Sequence, residues 1–290
     1  MNRKVIASLA AIAAIAVLMM SVAVGLTQGA SNTSTSAGVT TTTQSAAATG
    51  TNGLASTTTA AACHSQAAIP LGAAGNFRVL AGTTVTNTGA TVVHGNLGVS
   101  PGSAVTGFPP GKVTGKIDKA DTAAALAQKA LLTAYSDGMG RTNCPIKVAG
   151  NIGGKTLTPG LYRSTSSLSI SSGTLTLTGK GVFVFQIASK FVVTSGRHVV
   201  LAGGALAANI YWLVGSSATL GSTSVVYGNI IAHKSISMAT GATLHGKALA
   251  HLGAVTLEGN TVAAVPFSAV TVSTTASILT PASILARFTP

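Results

Sequence analysis

Acid–base, nucleophilic and metal chemistry need carboxylates, imidazoles or thiols brought close together, and this chain has few to bring. Among 290 residues there are four acids, Asp118, Asp121 and Asp137 in one short region and Glu258 far from them. The six histidines, His64, His94, His198, His233, His245 and His251, show no His-x-x-x-His spacing, and neither Cys63 nor Cys144 stands at a recognisable catalytic interval from one. Gly153-Gly154 and Gly203-Gly204 lack the Lys-Ser/Thr of a phosphate loop and read as turns. The expectation is no catalytic residue, no cofactor and no metal. What the chain does hold in quantity is small hydroxyl side chains, which both donate hydrogen bonds to water and accept them. Their effect depends on the elements that position them.

Those elements repeat. Thr240-Gly-Ala-Thr243 recurs as Thr88-Gly-Ala-Thr91 and, more loosely, as Ser171-Ser-Gly-Thr174, Thr194-Ser-Gly-Arg197, Ser216-Ser-Ala-Thr219 and Glu258-Gly-Asn-Thr261. From Ser171 onward the starts lie 23, 22, 24 and 18 residues apart. A period of this size is the mark of a solenoid, in which each coil buries its apolar side chains only by stacking on its neighbours. A second echo, His94-Gly-Asn, Tyr227-Gly-Asn and His245-Gly-Lys, makes Leu71 to Pro101 a coil of the same kind, separated in sequence from those of Ile146 to Val262. The insertion between them reads as a helix over about 118–138. Asp118 and Asp121 suit its first turn, Gly138 and Gly140 its end, and Ala120, Ala124, Ala127, Leu131 and Ala134 line one face. A rod of about 30 Å runs beside about six coils at ~4.8 Å each, as a splint.

Alternation in Leu175-Thr-Leu177 and Ile236-Ser-Met238 turns apolar residues inward and hydroxyls outward. Stacked strands then set hydroxyls at about 4.8 Å in one direction and alternate residues at about 6.8 Å in the other. Such a grid can hold ordered water, with adsorption to ice as a physical consequence. The simpler alternative is that Thr and Ser serve only as good exposed strand residues. The hydroxyls assigned to the grid are Thr88, Thr91, Ser171, Thr174, Thr194, Ser217, Thr219, Thr240, Thr243 and Thr256.

Composition agrees with a mainly β chain. Charged residues make up only 7%, against roughly 25% in an ordinary soluble domain. With aromatics at 4% the core is expected to come from Val, Leu, Ile and Ala. The net charge of +13 reflects missing acids, and its bases are scattered singly without interleaved aromatics, which argues against nucleic acid. Residues 1–30, with Arg3-Lys4 before an apolar run from Val5 to Leu26, read as a secretory signal or an uncleaved anchor. Either places the protein outside the cell, secreted or held at its surface through residues 5–26. Residues 31–62, almost entirely Thr, Ser, Ala and Gly, read as a disordered linker, 63–265 as the solenoid domain, and 266–290 as an unassigned tail. In an exported protein Cys63 and Cys144 most simply form one disulfide, two free thiols being the alternative.

An ordered set of motifs carries a resemblance. Leu71-Gly-x-x-Gly-Asn-Phe77, Thr84-Val-Thr-Asn-Thr-Gly89, Gly95-Asn-Leu-Gly-Val-Ser-Pro-Gly102, Leu157-Thr-Pro-Gly-Leu-Tyr162, Val182-Phe-Val-Phe-Gln-Ile187, Trp212, Gly228-Asn-Ile-Ile-Ala232 and Gly253-Ala-Val-Thr-Leu257 resemble the microbial ice-binding family defined by the DUF3494 domain. The resemblance implies a discontinuous right-handed β-solenoid of triangular section, a long helix packed along one face and an exposed flat face that adsorbs to ice. The loose Thr-Ala/Gly-x-Thr/Asn tetrad of that family is matched at Thr88–Thr91 and Thr240–Thr243, while Arg197 and Glu258 depart from it. The expected function is ice binding by an exported, non-enzymatic monomer. The rival is an adhesin or structural module whose basic surface holds anionic polysaccharide or envelope polymer.

Overall fold

The computed structural model describes residues 65–264; the segments expected to be an export signal or anchor (1–30), a linker (31–62) and a tail (266–290), and Cys63, lie outside the described residues. Short strands with every second side chain buried wind into coils, each coil giving one strand to each of three faces. All pairings between named strands are parallel. Two long strands, Val225–Ala232 and Thr243–Ala250, bend across a corner and serve two faces at once.

The discontinuity is visible in the pairing. The first strand, Phe77–Ala81, sets Val79 against Ala248 and Leu80 against Leu249. Thr84–Thr88 lies on Val255–Glu258, and Val92–Val93 on Thr261–Ala263. The amino-terminal coils therefore stack on the carboxy-terminal ones, and the chain returns to the far end of the stack through the inserted helix.

That helix, α1, spans Thr122–Gly140, starting later than the sequence suggests. Ile117–Lys119 is a strand paired with Asn96–Val99, so Asp118 belongs to the sheet, and Ala120 takes a left-handed turn at φ 49°. Asp121 is the cap, its carboxylate accepting from Ala124 N at 2.8 Å. Ala124, Ala127, Leu131 and Ala134 are buried against the solenoid together with Gln128 and Gly138. A Cβ on Gly138 would come within 2.4 Å of Leu213 Cδ1 and 2.8 Å of Ile69 Cδ1, so a larger residue there would have to displace both side chains. The last turn's carbonyls are met from the solenoid by Gln186, whose Nε2 donates to Gly138 O and Arg141 O at 2.8 Å and to Met139 O at 3.2 Å. Along its length α1 passes six coils, from Asn96–Val99 to Phe183–Ile187.

Two apolar layers result. Leu80, Leu161, Val184, Leu213, Ile231 and Leu249 face α1, and the alternate residues fill the solenoid. The expectation of a purely aliphatic core needs correction, because the few aromatics are concentrated inside. Trp212 stacks on Phe185 at 4.1 Å and on Phe191 at 4.6 Å, and Phe185 stacks in turn on Tyr162 at 5.0 Å. The indole N–H donates to Tyr227 O at 2.9 Å, which satisfies the one polar atom this ring buries. Cys144 is disulfide-bonded; Cys63 is the chain's other cysteine.

Candidate functional site

One face is covered by α1, and another, the third face, presents mixed side chains around Val225, Thr243 and Thr261. The remaining face is an eight-stranded sheet running in the order Ala104–Thr106, Thr84–Thr88, Val255–Glu258, Ile236–Met238, Ala218–Leu220, Phe191–Val193, Leu168–Ile170 and Gly150–Asn151. Its interior positions, including Val85, Val255, Leu257, Ile236, Met238, Leu220, Phe191 and Ile170, are buried. Strict alternation then points the residue between them outward.

Register aligns those outward residues in one column. Thr106 lies beside Thr86, Thr86 beside Thr256, Thr256 beside Ser237, and Ser237 beside Thr219. The column continues through Val192 and Ser169 to Asn151. Eight rungs at about 4.8 Å make a line of about 34 Å. Six of the eight are Thr or Ser and none is charged. Among the described residues, the hydroxyls of Thr106, Thr86, Thr256, Ser237 and Thr219 have no partner within the protein, so their hydrogen-bonding capacity is turned to solvent. Val192 keeps the line smooth while removing one hydroxyl.

The flanking positions are less free. On one side Ser217 Oγ accepts from Ser235 N and Ser235 Oγ accepts from Ala254 N, both at 3.3 Å. Lys190 is exposed just before Phe191–Val193 on that side. On the other side Thr88 pairs with Glu258 across the sheet, and Thr240 Oγ1 donates to Glu258 Oε2 at 3.2 Å. Thr194 Oγ1 donates to Ile170 O and Ser171 O at 3.3 Å. Charge therefore borders the column on each side without entering it.

The tetrads turn out to be the corner that follows this face. Gly89, Gly107, Gly154, Gly173, Gly196, Gly241 and Gly259 all have φ between 60° and 90° there, and the remaining such corner uses Thr223 at φ 57°. A left-handed residue turns the strand sharply towards the next face, and glycine does so without steric penalty. Structural alignment shifts two tetrads by one residue, to Ser172–Leu175 and Ser195–His198, and replaces Ser216–Thr219 with Ser222–Val225, because the positive φ falls on Gly173, Gly196 and Thr223.

The ten hydroxyls assigned from sequence separate accordingly. Thr219 and Thr256 stand in the central column; Thr88, Ser171, Thr194 and Ser217 lie in its flanks. Thr174 and Thr240 are exposed on the corner. Thr91 is wholly buried, its Oγ1 accepting from Asn260 N at 2.9 Å, and so cannot face solvent. Thr243 pairs with Val225 and Thr261 on the third face. The column members outside the tetrads are Thr86, Thr106, Ser169 and Ser237, and most carry a readable sign. Ser169 and Ser237 stand between two buried apolar residues and Thr86 between buried Val85 and buried Asn87, and in most coils the column residue lies three or four residues before the left-handed corner.

Residues 79–263 match the profile of a family described as Ice-binding-like. An ice-binding protein of Nostoc sp. (strain HG1) is 45% identical over 197 residues, covering 66% of this chain and 72% of that protein. One from Flavobacterium frigoris (strain PS1) is 39% identical, covering 67% and 75%. The crystal structure of an ice-binding protein from an Antarctic biological consortium superposes with a TM-score of 0.68 at 52% identity, covering 69% of this chain and 92% of that one.

Proposed function

The chain belongs to the ice-binding-like family, and from that we propose that the eight-stranded face is the surface by which it binds ice. Ice is the ligand, and the activity is adsorption without bond making or breaking. The carrying observation is the column from Thr106 to Asn151, a line free of charge whose five leading hydroxyls have no partner in the protein. Methyl groups of Thr restrict the water while the hydroxyls bond it, so a layer held at about 4.8 Å by about 6.8 Å is already ordered when it meets a crystal. The central contributors in this reading are Thr86, Thr106, Ser169, Thr219, Ser237 and Thr256. Thr88, Ser171, Thr194 and Ser217 extend the grid, and Thr174 and Thr240 form its rim.

The basic and apolar start of the chain supports export of this domain, which would bring the face to ice outside the cell. The purified protein should facet growing ice crystals and slow recrystallisation. Rounded, unshaped growth at high protein concentration would refute the proposal.

A further inference from the structure

His233 and His251 lie 18 residues apart, outside any familiar metal-ligand spacing, yet one turn of the solenoid brings them to neighbouring rungs, directly after the paired Ala232 and Ala250. Their imidazoles are neighbours beside α1, with centroids 5.9 Å apart and planes tilted by 40°. The ring of Tyr135, from α1, stacks on His233 at 5.5 Å.

Two details of their hydrogen bonding point to a ligand. Gln128 donates through Nε2 to Ala250 O at 3.1 Å, which leaves its Oε1 to accept from His251 Nδ1 at 3.2 Å. The proton of His251 is thereby held on Nδ1, and Nε2 carries a lone pair, the arrangement by which an outer partner orients a metal-binding imidazole. His233 Nδ1 is shielded from solvent and has no partner, and an orphaned ring nitrogen of this kind calls for an explanation such as an ion.

We propose that His233 and His251 form a two-imidazole site for a late first-row divalent cation, with water completing the coordination shell. Imidazole suits Zn(II), Cu(II) and Ni(II). Two rings that each bind one ion at about 2.0–2.1 Å have centroids roughly 5–6 Å apart, which this pair already approaches. Among the described residues no three potential metal-binding side chains come together, so the site has two protein ligands. Bound metal would tie two coils together beside the helix.

The test is calorimetric titration of zinc chloride into the full chain, its H233N/H251N variant and its Q128L variant. The wild type should bind one equivalent, H233N/H251N should lose that event, and Q128L should weaken it by about 10–100-fold. Equal binding by wild type and H233N/H251N, or none by the wild type, would overturn the proposal. A readout without substitution guards against misfolding of the variants. Zinc should raise the thermal midpoint of the wild type, calcium chloride at the same concentration should not, because imidazole favours the late first-row ions, and an equal rise with both would reject the site.

Discussion

The eight-stranded face and the third face are built on the same coils, with similar parallel strands and the same interior, yet they present different chemistry. Across the third face the outward positions run through Val225, Thr243, Thr261, Val92 and Lys112 in one line. A second line holds Tyr227 and His245, whose rings stack at 4.7 Å, followed by Ala263. On the eight-stranded face the corresponding central line is hydroxyl, methyl and amide only. Stacking fixes the rung spacing on both faces, because it is a property of the parallel backbone. What differs is whether the outward side chains are small, uniform and uncharged. A rigid ladder is therefore a necessary part of the site, and uniformity of side chains selects which ladder can template water.

The largest effect should come from exchanging that uniformity for bulk and charge. T219K/T256K should abolish ice shaping while leaving circular dichroism and the thermal midpoint close to wild type, since both side chains point to solvent. The matched T243K/T261K on the third face should keep full shaping. Loss of shaping in both variants, or in the second alone, would move the ice-binding surface away from the eight-stranded sheet.

A smaller change should follow completion of the column. V192T supplies the missing hydroxyl between Thr219 and Ser169 and should increase recrystallisation inhibition by a modest factor, measured as the lowest protein concentration that arrests grain growth. Reduced inhibition would mean that the Val methyls, rather than the hydroxyls, set the fit to ice.

The two regions should also respond differently to pH. Lys247, near the corner between the third face and the helix face, donates to Gly75 O and Phe77 O, and its burial, with Arg78 nearby, lowers its pKa from 10.5 to about 8. Between those values the unfolded chain holds a proton that the folded one has released. Stability should therefore rise as pH goes from about 8 to about 10.5, and be lower below that window. K247M should flatten this rise in thermal unfolding, while ice shaping stays unchanged across it because the central column does not titrate.

The smallest effect concerns the corner shared by the two faces. Thr223 occupies the left-handed position that glycine fills in the other coils. A non-glycine residue there is strained by roughly 1–2 kcal/mol, partly offset by the extra chain entropy of glycine. T223G should stabilise by about 0.5–1 kcal/mol in denaturant unfolding without altering ice activity.

Much of this organisation is legible without coordinates. The repeat of Thr240–Thr243 announces a solenoid, the isolated coil around Thr88 announces its discontinuity, and the spacing from Ala124 to Ala134 announces a helix laid on a sheet. The exposed grid is only half legible. Thr219 and Thr256 are recognisable by alternation, yet the conspicuous tetrads drew Thr91 and Thr243 into the same set. Tetrad residues recur because a left-handed corner needs them, which is a backbone requirement, and it says nothing about which way their neighbours point. Likewise the scarcity of aromatics is plain from composition, but their gathering around Trp212 is a matter of which coils lie side by side.

Local sequence by itself determined the period, the strand and turn alternation and the presence of the inserted helix, because each depends on contacts within one coil or one turn. Only the tertiary structure decided which outward residues share a column, that Thr91 is buried and Thr243 is on another face, and that His233 meets His251. Those outcomes depend on register between strands about 20 residues apart and, where Thr86 meets Thr256, about 170 apart. Register is set by how every coil packs on its neighbours, and no single coil contains it.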